Sequence, residues 1–310
     1  MTMQAAKGST PSRLRYLADN PRFLSASMLL PAVTFIALLI GVPFVLALLL
    51  SFSDARTGSL SFSFVGFKNF VSIWNNSLFQ TALRNTLIFT LVSQALVLTL
   101  AVTLATVLSK SFRGKWLVRF LILLPWAAPI ALGTLGWLWI FDSTFSVLNW
   151  TLKSLGFFGL RGWLYWLGEP GLAMTAIIIV HVWRMMPFST VILLAGMTAI
   201  PQDIQDAASV DGAGFWRRLF EVTLPMLLPI ASVSVLFGTV FTFTDMSVVY
   251  LLTRGGPYNS THVLSSLAFQ QGILGSDLGQ GSAIALFLFP VLVLAAVVML
   301  RTARRSGGEL

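Results

Sequence analysis

Six long apolar runs constrain this chain more than any other feature. A helix crosses the hydrocarbon core of a bilayer in about 20 mostly apolar residues. Inside that core the backbone must satisfy its own hydrogen bonds, so a run of this length reads as a helix. The runs are 28–50, 85–109, 120–141, 171–198, 226–252 and 280–300 of the 310 residues. The expected fold class is therefore an all-α membrane protein with six transmembrane helices. Composition agrees: 56% of residues are hydrophobic and 10% charged, where soluble domains carry about 25% charged. Mean hydropathy is +0.84. Basic residues precede the first run, as in a signal peptide. That run is longer than a usual signal core and lacks a clear cleavage pattern, so it reads as a retained helix.

Lys and Arg set the orientation, because cytoplasmic loops carry the excess. Of the 20, thirteen fall on one side: Lys7, Arg13, Arg15, Arg22, Lys110, Arg113, Lys115, Arg119, Arg217, Arg218, Arg301, Arg304 and Arg305. Six fall on the other: Arg56, Lys68, Arg84, Lys153, Arg161 and Arg254. Arg184 lies within a run. Both termini are then cytoplasmic: an arm over 1–27, a six-helix domain over 28–300, and a tail over 301–310. The net charge of +9 is an orientation signal, and no basic patch is large enough to suggest nucleic acid.

The absence of cysteine excludes disulfides and thiolate chemistry. Two histidines, His181 and His262, are too few for a His-rich metal site. Three segments lie outside. Around "SLSFSFV", segment 51–76 alternates as a short strand would. Segment 142–170 carries Trp150, Trp163 and Trp166, suited to headgroup level. "TRGGPYNST" (253–261) is rich in turn residues.

One stretch, "DAASVDGAGFWRRLFEVTLP" (206–225), stands apart as a charged island. "IPQDIQDAASV" reads as a short helix with Pro201 in its first turn. Gly212 and Gly214 permit a sharp turn. "FWRRLFEVTL" reads as a second short helix, and Pro225 opens the next run. Two short cytoplasmic helices could dock on a soluble partner, or could rest on lipid headgroups.

The spacing here resembles a known family. Permease subunits of binding-protein-dependent ABC importers carry Glu-Ala-Ala, three residues, Gly, nine residues, Ile, any residue, Leu-Pro. This chain has Asp206-Ala207-Ala208, three residues, Gly212, nine residues, Val222, Thr223, Leu224-Pro225. Asp stands for Glu and Val for Ile, which leaves a slightly shorter carboxylate. "VGFKNF" (65–70), "VWRMMPFSTVILLAGMTAIPQDIQDAASVDGAGFW" (182–216) and "VVYLLTRGGPYNST" (248–261) extend the likeness over about 28–300. They look like carbohydrate-uptake permeases of the maltose, trehalose and glycerol-3-phosphate type. The resemblance implies a type I ABC importer permease fold in the bacterial inner membrane. It implies a second related permease, two ATP-binding cassette subunits and an extracytoplasmic binding protein as partners. Asp206, Ala207, Ala208, Asp211, Gly212, Leu224 and Pro225 would form the ATPase-coupling element. The chain has no G-x-x-x-x-G-K-[ST] loop. No cofactor is expected in it; ATP and Mg belong to the partner ATPase.

A sugar path needs hydrogen-bonding groups and flat apolar faces, and polar groups within spans are costly and often functional. Arg184 and Asp245 are candidates for that path, or for structural pairing. Trp126, Trp137, Trp139, Trp183, Phe241 and Phe243 could stack on sugar or serve packing, while His181 reads as a satisfied interior histidine. Gly255, Gly256, Pro257 and Tyr258 are candidates for contact with the binding protein. The expected function is the pore-forming permease subunit of a sugar importer, the alternative cargo being a polyol or glycerol-3-phosphate. A membrane-embedded enzyme would need a nucleophile–base pair or paired acids within spans. A secondary transporter would show inverted repeats. Neither feature is present in the sequence, and the chain is read as no enzyme.

The topology is testable in this Cys-free chain. Cysteines introduced as Arg113→Cys and Arg217→Cys should resist an impermeant thiol reagent in intact cells and react once the membrane is opened. Labelling of both from outside would overturn the orientation.

Overall fold

The buried interior mixes small and polar side chains with large apolar ones such as Phe89, Phe141 and Met185, while many more large apolar side chains face outward. A computed structural model describes residues 21–59, 62–157 and 162–307. Most of the expected cytoplasmic arm, Arg161 and the end of the tail lie outside the described residues. The chain divides into two units, Met1–Leu50 and Ser51–Leu310. The described part of the first is helix α1 (Phe23–Ser51), which carries one widened turn at Ala37–Gly41. A helix apolar all round requires lipid or protein around it.

The second unit begins with a short helix, α2 (Lys68–Trp74). The long α3 follows, Ser77–Ser109, with Asn76 as its N-cap accepting from the Leu78 N–H at 2.8 Å. Its buried positions, Ala82, Thr86, Phe89, Ser93, Val97, Ala101 and Ala105, recur every three to four residues and form one stripe. That stripe packs along α7 (Pro170–Ala199), whose own buried positions include Ala173, Ala176 and Ser189, while Gly196 of α7 closes on Leu227 and Ile230 of the fifth span. Small residues let membrane helices approach closely where lipid supplies no hydrophobic drive. The long α9 (Phe215–Thr244) crosses both and packs against α12 (Leu278–Val298). At Gly238 an added Cβ would meet the Gln94 amide of α3 at 2.6 Å, so the glycine leaves room for that amide to lie against α9 and reach Thr242.

Two spans differ from their sequence-based outline. The expected third span, 120–141, is a broken pair: α4 (Lys115–Ala127) and α5 (Ile130–Ile140), bent by 99°. Pro129 drives the preceding Ala128 out of the helical region, to φ −70 and ψ 139. The expected fifth span, 226–252, stops at Thr244. Asp245 is extended (φ −72, ψ 109), and a separate helix α10 (Ser247–Thr253) follows. Among the described residues there are therefore five helices long and apolar enough to span a membrane, and six spans when the bent pair is one.

The outer segments differ too. The alternating stretch near 62–65 forms an isolated antiparallel bridge, Ser53 to Phe64, rather than a strand. Helix α6 (Val147–Ser154) carries Asn149, whose amide reaches the Leu164 carbonyl at 2.8 Å and the Trp166 indole at 3.1 Å. After α10 the turn 254–263 returns to α11 (Leu264–Phe269). That turn is pinned to α3. The Asn85 amide donates to the carbonyls of Ser260 (2.6 Å) and His262 (3.0 Å). The Leu264 N–H donates to the Thr86 hydroxyl at 2.8 Å.

Replacing Asn85 with Leu leaves two carbonyls without donors. A buried unpaired polar group costs about 1–3 kcal/mol. Asn85→Leu is expected to lower the thermal unfolding midpoint of the purified protein, and an unchanged midpoint would contradict the pinning role.

Candidate functional site

The charged island is built from a short helix, a tight turn and the start of a span. Helix α8 (Gln202–Val210) opens directly after Pro201, which is its N-cap and not a residue of the first turn. It closes where Gly212 turns left-handed, φ +73, a conformation that disfavours any Cβ. The Ala213 N–H reaches back to Ala208 at 2.9 Å and the Gly212 N–H to Ser209 at 3.1 Å, which terminates the helix. The expected second short helix is not separate. From Phe215 the chain runs unbroken into α9 through a widened turn at Arg218–Thr223. Pro225 has no N–H to return to the preceding turn, and such a turn absorbs the missing bond. The helix therefore continues through Leu224-Pro225 without a break.

Ala208 is buried, while Asp206 and Asp211 face solvent. The Gln202 amide holds the Asp206 carboxylate at 3.1 Å. Arg217 donates to Glu221 at 2.8 Å, an exposed pair whose hydrogen bond and charge raise the guanidinium pKa further. Within the island lie exposed apolar groups the sequence reading passed over: Val210, Trp216 and Phe220, the last two stacked at 6.1 Å. Their spacing of four along one helix was the available signal.

Halfway up the bundle lies a second constellation. Asp245, at the break in the fifth span, sits 3.0 Å from His181 Nδ1 and 3.5 Å from the Arg184 guanidinium, both on α7. Its other oxygen accepts from the Ser247 N–H at 2.8 Å and so caps α10. His181 Nε2 meets the Thr242 hydroxyl at 2.8 Å, which also accepts from Gln94 of α3 at 3.0 Å. His181 is fully buried. One guanidinium nitrogen of Arg184, Nη1, is buried with no hydrogen-bond partner among the described residues.

Next to this network the aromatic candidates divide. Trp126 stacks on Phe188 at 4.9 Å, and Phe241 meets Phe188 edge-on at 5.9 Å and Phe237 at 6.4 Å. This shelf joins α4, α7 and α9, with Trp126, Phe237 and Phe241 each substantially exposed. Phe188 and Phe237 were not singled out in the sequence. Trp183 packs edge-on against Trp137 and lies over Gly133. Trp139 is exposed near the outer end of α5. Phe243 is 1% exposed among Ile73, Phe79 and Leu264, so it faces the protein core and no open path within this chain.

The outer turn is shaped around His262. Gly255, at φ +89, lies so close to the His262 ring that no Cβ fits. Burial lowers the His262 pKa and favours the neutral imidazole. The Thr261 hydroxyl bonds the Gly256 carbonyl at 2.6 Å and Thr253 at 2.8 Å. Pro257 follows a cis peptide, and Tyr258 and Asn259 take φ of 53° and 59°. Consecutive non-glycine residues at positive φ cost energy and cluster where function requires the shape. Tyr258 is 92% exposed at the tip.

Residues 97–305 match the family described as binding-protein-dependent transport system inner membrane component. The sulfoquinovosyl glycerol transport system permease protein SmoG of Agrobacterium fabrum is 33% identical over 295 residues, 95% of this chain and 94% of that protein. The trehalose/maltose transport system permease protein MalF of Thermococcus litoralis is 33% identical over 293 residues, 94% and 97% of the two chains. The sn-glycerol-3-phosphate transport system permease protein UgpA of Yersinia pseudotuberculosis is 28% identical over 248 residues, 80% and 83%. A chain in the crystal structure of a bacterial alginate ABC transporter with its pentasaccharide-bound periplasmic protein shares the fold. Its TM-score is 0.79 at 21% identity, covering 94% of this chain and 98% of that one.

Asp245 holds a histidine, an arginine and a helix cap. Removing one partner of a buried ion pair costs about 3–5 kcal/mol, because it strands the other charge. Asp245→Asn is expected to lower thermal stability and complex yield sharply, and adding Arg184→Gln to recover part of the loss. Additive losses in the double-mutant cycle would show that the pair is not coupled.

Proposed function

Because this chain belongs to the binding-protein-dependent transport system inner membrane family, we propose that it is the pore-forming subunit of an ATP-driven importer of a sugar. It pairs with a second permease of the same family and takes its energy from two ATP-binding cassette subunits. The observation that carries the mechanism is the unbroken path from α8 through the Gly212 turn into α9. A lever transmits force only if its turn has one shape, and φ +73 at Gly212 fixes that shape. Asp206 offers a carboxylate for a charge-assisted bond with the ATPase, and Val210, Trp216 and Phe220 offer apolar contact. The cytoplasmic placement of this lever, and of both termini, follows from the basic residues.

On the outer side the turn 254–263 presents Tyr258 to the binding protein. Cargo then passes between this chain and its partner, along the aromatic shelf of Trp126, Phe188 and Phe241, whose flat faces suit the C–H surfaces of a sugar ring. Relatives named for trehalose, maltose and sulfoquinovosyl glycerol support a carbohydrate. One observation favours a second reading, an anionic cargo such as glycerol phosphate: the unpaired Arg184 Nη1 beside the shelf.

Gly212→Val tests the lever. A β-branched residue in left-handed backbone costs roughly 1–2 kcal/mol or more, enough to shift the turn without disturbing the spans. The variant is expected to insert normally and to lose uptake, with hydrolysis no longer rising when loaded binding protein is added. Wild-type uptake and stimulation would overturn the assignment of 206–225 as the coupling element.

A further inference from the structure

Between the lever and the bundle lies a cavity of about 460 Å³ that the transport reading does not use. Its walls come from the cytoplasmic ends of α3 and α7, from α8, and from the widened turn at the start of α9. Two cations line it, Lys110 and Arg218, together with the hydroxyls of Thr106, Ser109 and Thr223 and the amide of Gln205. None of its lining residues is acidic. The nearby carboxylates are engaged elsewhere: Asp206 by Gln202 and Glu221 by Arg217.

Each cation is placed by a contact that leaves donors over. The Lys110 ammonium sits 5.0 Å from the centre of the Phe215 ring, a cation–π contact that uses none of its N–H bonds on an anion. Arg218 gives Nη1 to the Ser209 hydroxyl at 2.8 Å. Thr106 and Ser109 give their hydroxyl hydrogens to the helix carbonyls of Val102 and Thr106, while the Thr223 hydroxyl accepts from Gln205. A point charge and a planar fork at one space, beside the Thr223 hydroxyl, match the tetrahedral oxygens of a phosphate. The volume exceeds that of a bare ion, and Met197 and Leu219 add apolar wall for a short organic body. The site lies where α3 ends at Ser109 and α7 at Ala199, both membrane-length helices. That places it at one end of the spans, where an anionic headgroup or a soluble anion can reach it.

We propose that this cavity binds a phosphate-bearing ligand which ties the coupling lever to the bundle and so tunes its travel. The tuning rests on the coupling role given to α8; the binding does not. Within this chain, α8 is joined to the rest by thin links, a 3.4 Å contact from Gln205 to Thr223 and the Arg218 bond to Ser209. A phosphate held by Lys110 and Arg218 together would add a bridge from α3 to α9 beneath α8. The same chemistry has two sources, an anionic lipid headgroup or a soluble phosphate compound.

The assembled complex in nanodiscs separates them, with no nucleotide, sugar or binding protein present. Phosphatidylglycerol retained per complex is counted by native mass spectrometry. Thermal protection by inorganic phosphate is measured in phosphatidylcholine discs. Removing one cation of a charge-assisted site is expected to weaken binding about tenfold or more. Lys110→Gln should therefore shed the bound lipid or lose the phosphate protection, and Lys110→Arg should keep it. Retention of lipid alone assigns a headgroup, and protection by phosphate alone assigns a soluble ligand. If wild type and Lys110→Gln behave alike in both arms, the proposal falls. Its failure would leave the Gly212→Val result untouched, since neither arm reads transport.

Discussion

A carboxylate inside a membrane must find its partners within the protein, and the middle of this molecule is organised around that requirement. Asp245 ends one helix and starts the next, so its position breaks the fifth span. Its oxygens are taken by His181, Arg184 and the Ser247 N–H. His181 in turn reaches Thr242, and Thr242 reaches Gln94. Three helices, α3, α7 and α9, are tied by one polar chain in surroundings where each link would be expensive to leave open.

Packing around this chain follows the same economy. Alanine and serine among the buried positions of α3 and α7 let the two helices lie close, which shortens the reach between polar groups. Where α9 crosses α3, Gly238 leaves the Gln94 amide room to reach Thr242. At its other end the same helix opens through a widened turn after α8. The proposed coupling element, the Asp245 break and the aromatic shelf therefore lie along a single helix, which is why a push at α8, if it occurs as proposed, would reach the shelf directly.

The outer turn follows a related logic. Its carbonyls are claimed by Asn85 and its glycine is pressed on His262, so the tip bearing Tyr258 has a fixed shape on an otherwise loop-built surface. A rigid tip suits recognition, since little ordering remains to be done on contact.

The sequence by itself determined the membrane class, because helix-length apolar runs have one stable form in a bilayer. It carried the family's spacing from Asp206 to Pro225, and within it the glycine that the left-handed turn at 212 favours. It also carried signals that were read too lightly. Pro129 bends the third span because the residue before a proline leaves the helical region, and Pro225 marks a widened turn, not a helix start. Only the tertiary structure decided which polar residues meet. Asp245 and His181 are 64 residues apart, and no periodicity announces that α7 and α9 bring them together. Nor could local pattern tell Phe241, on an open shelf, from Phe243, in the core. Two positions along a helix, they lie on different faces, and which face meets lipid, partner or protein depends on how the other helices stack.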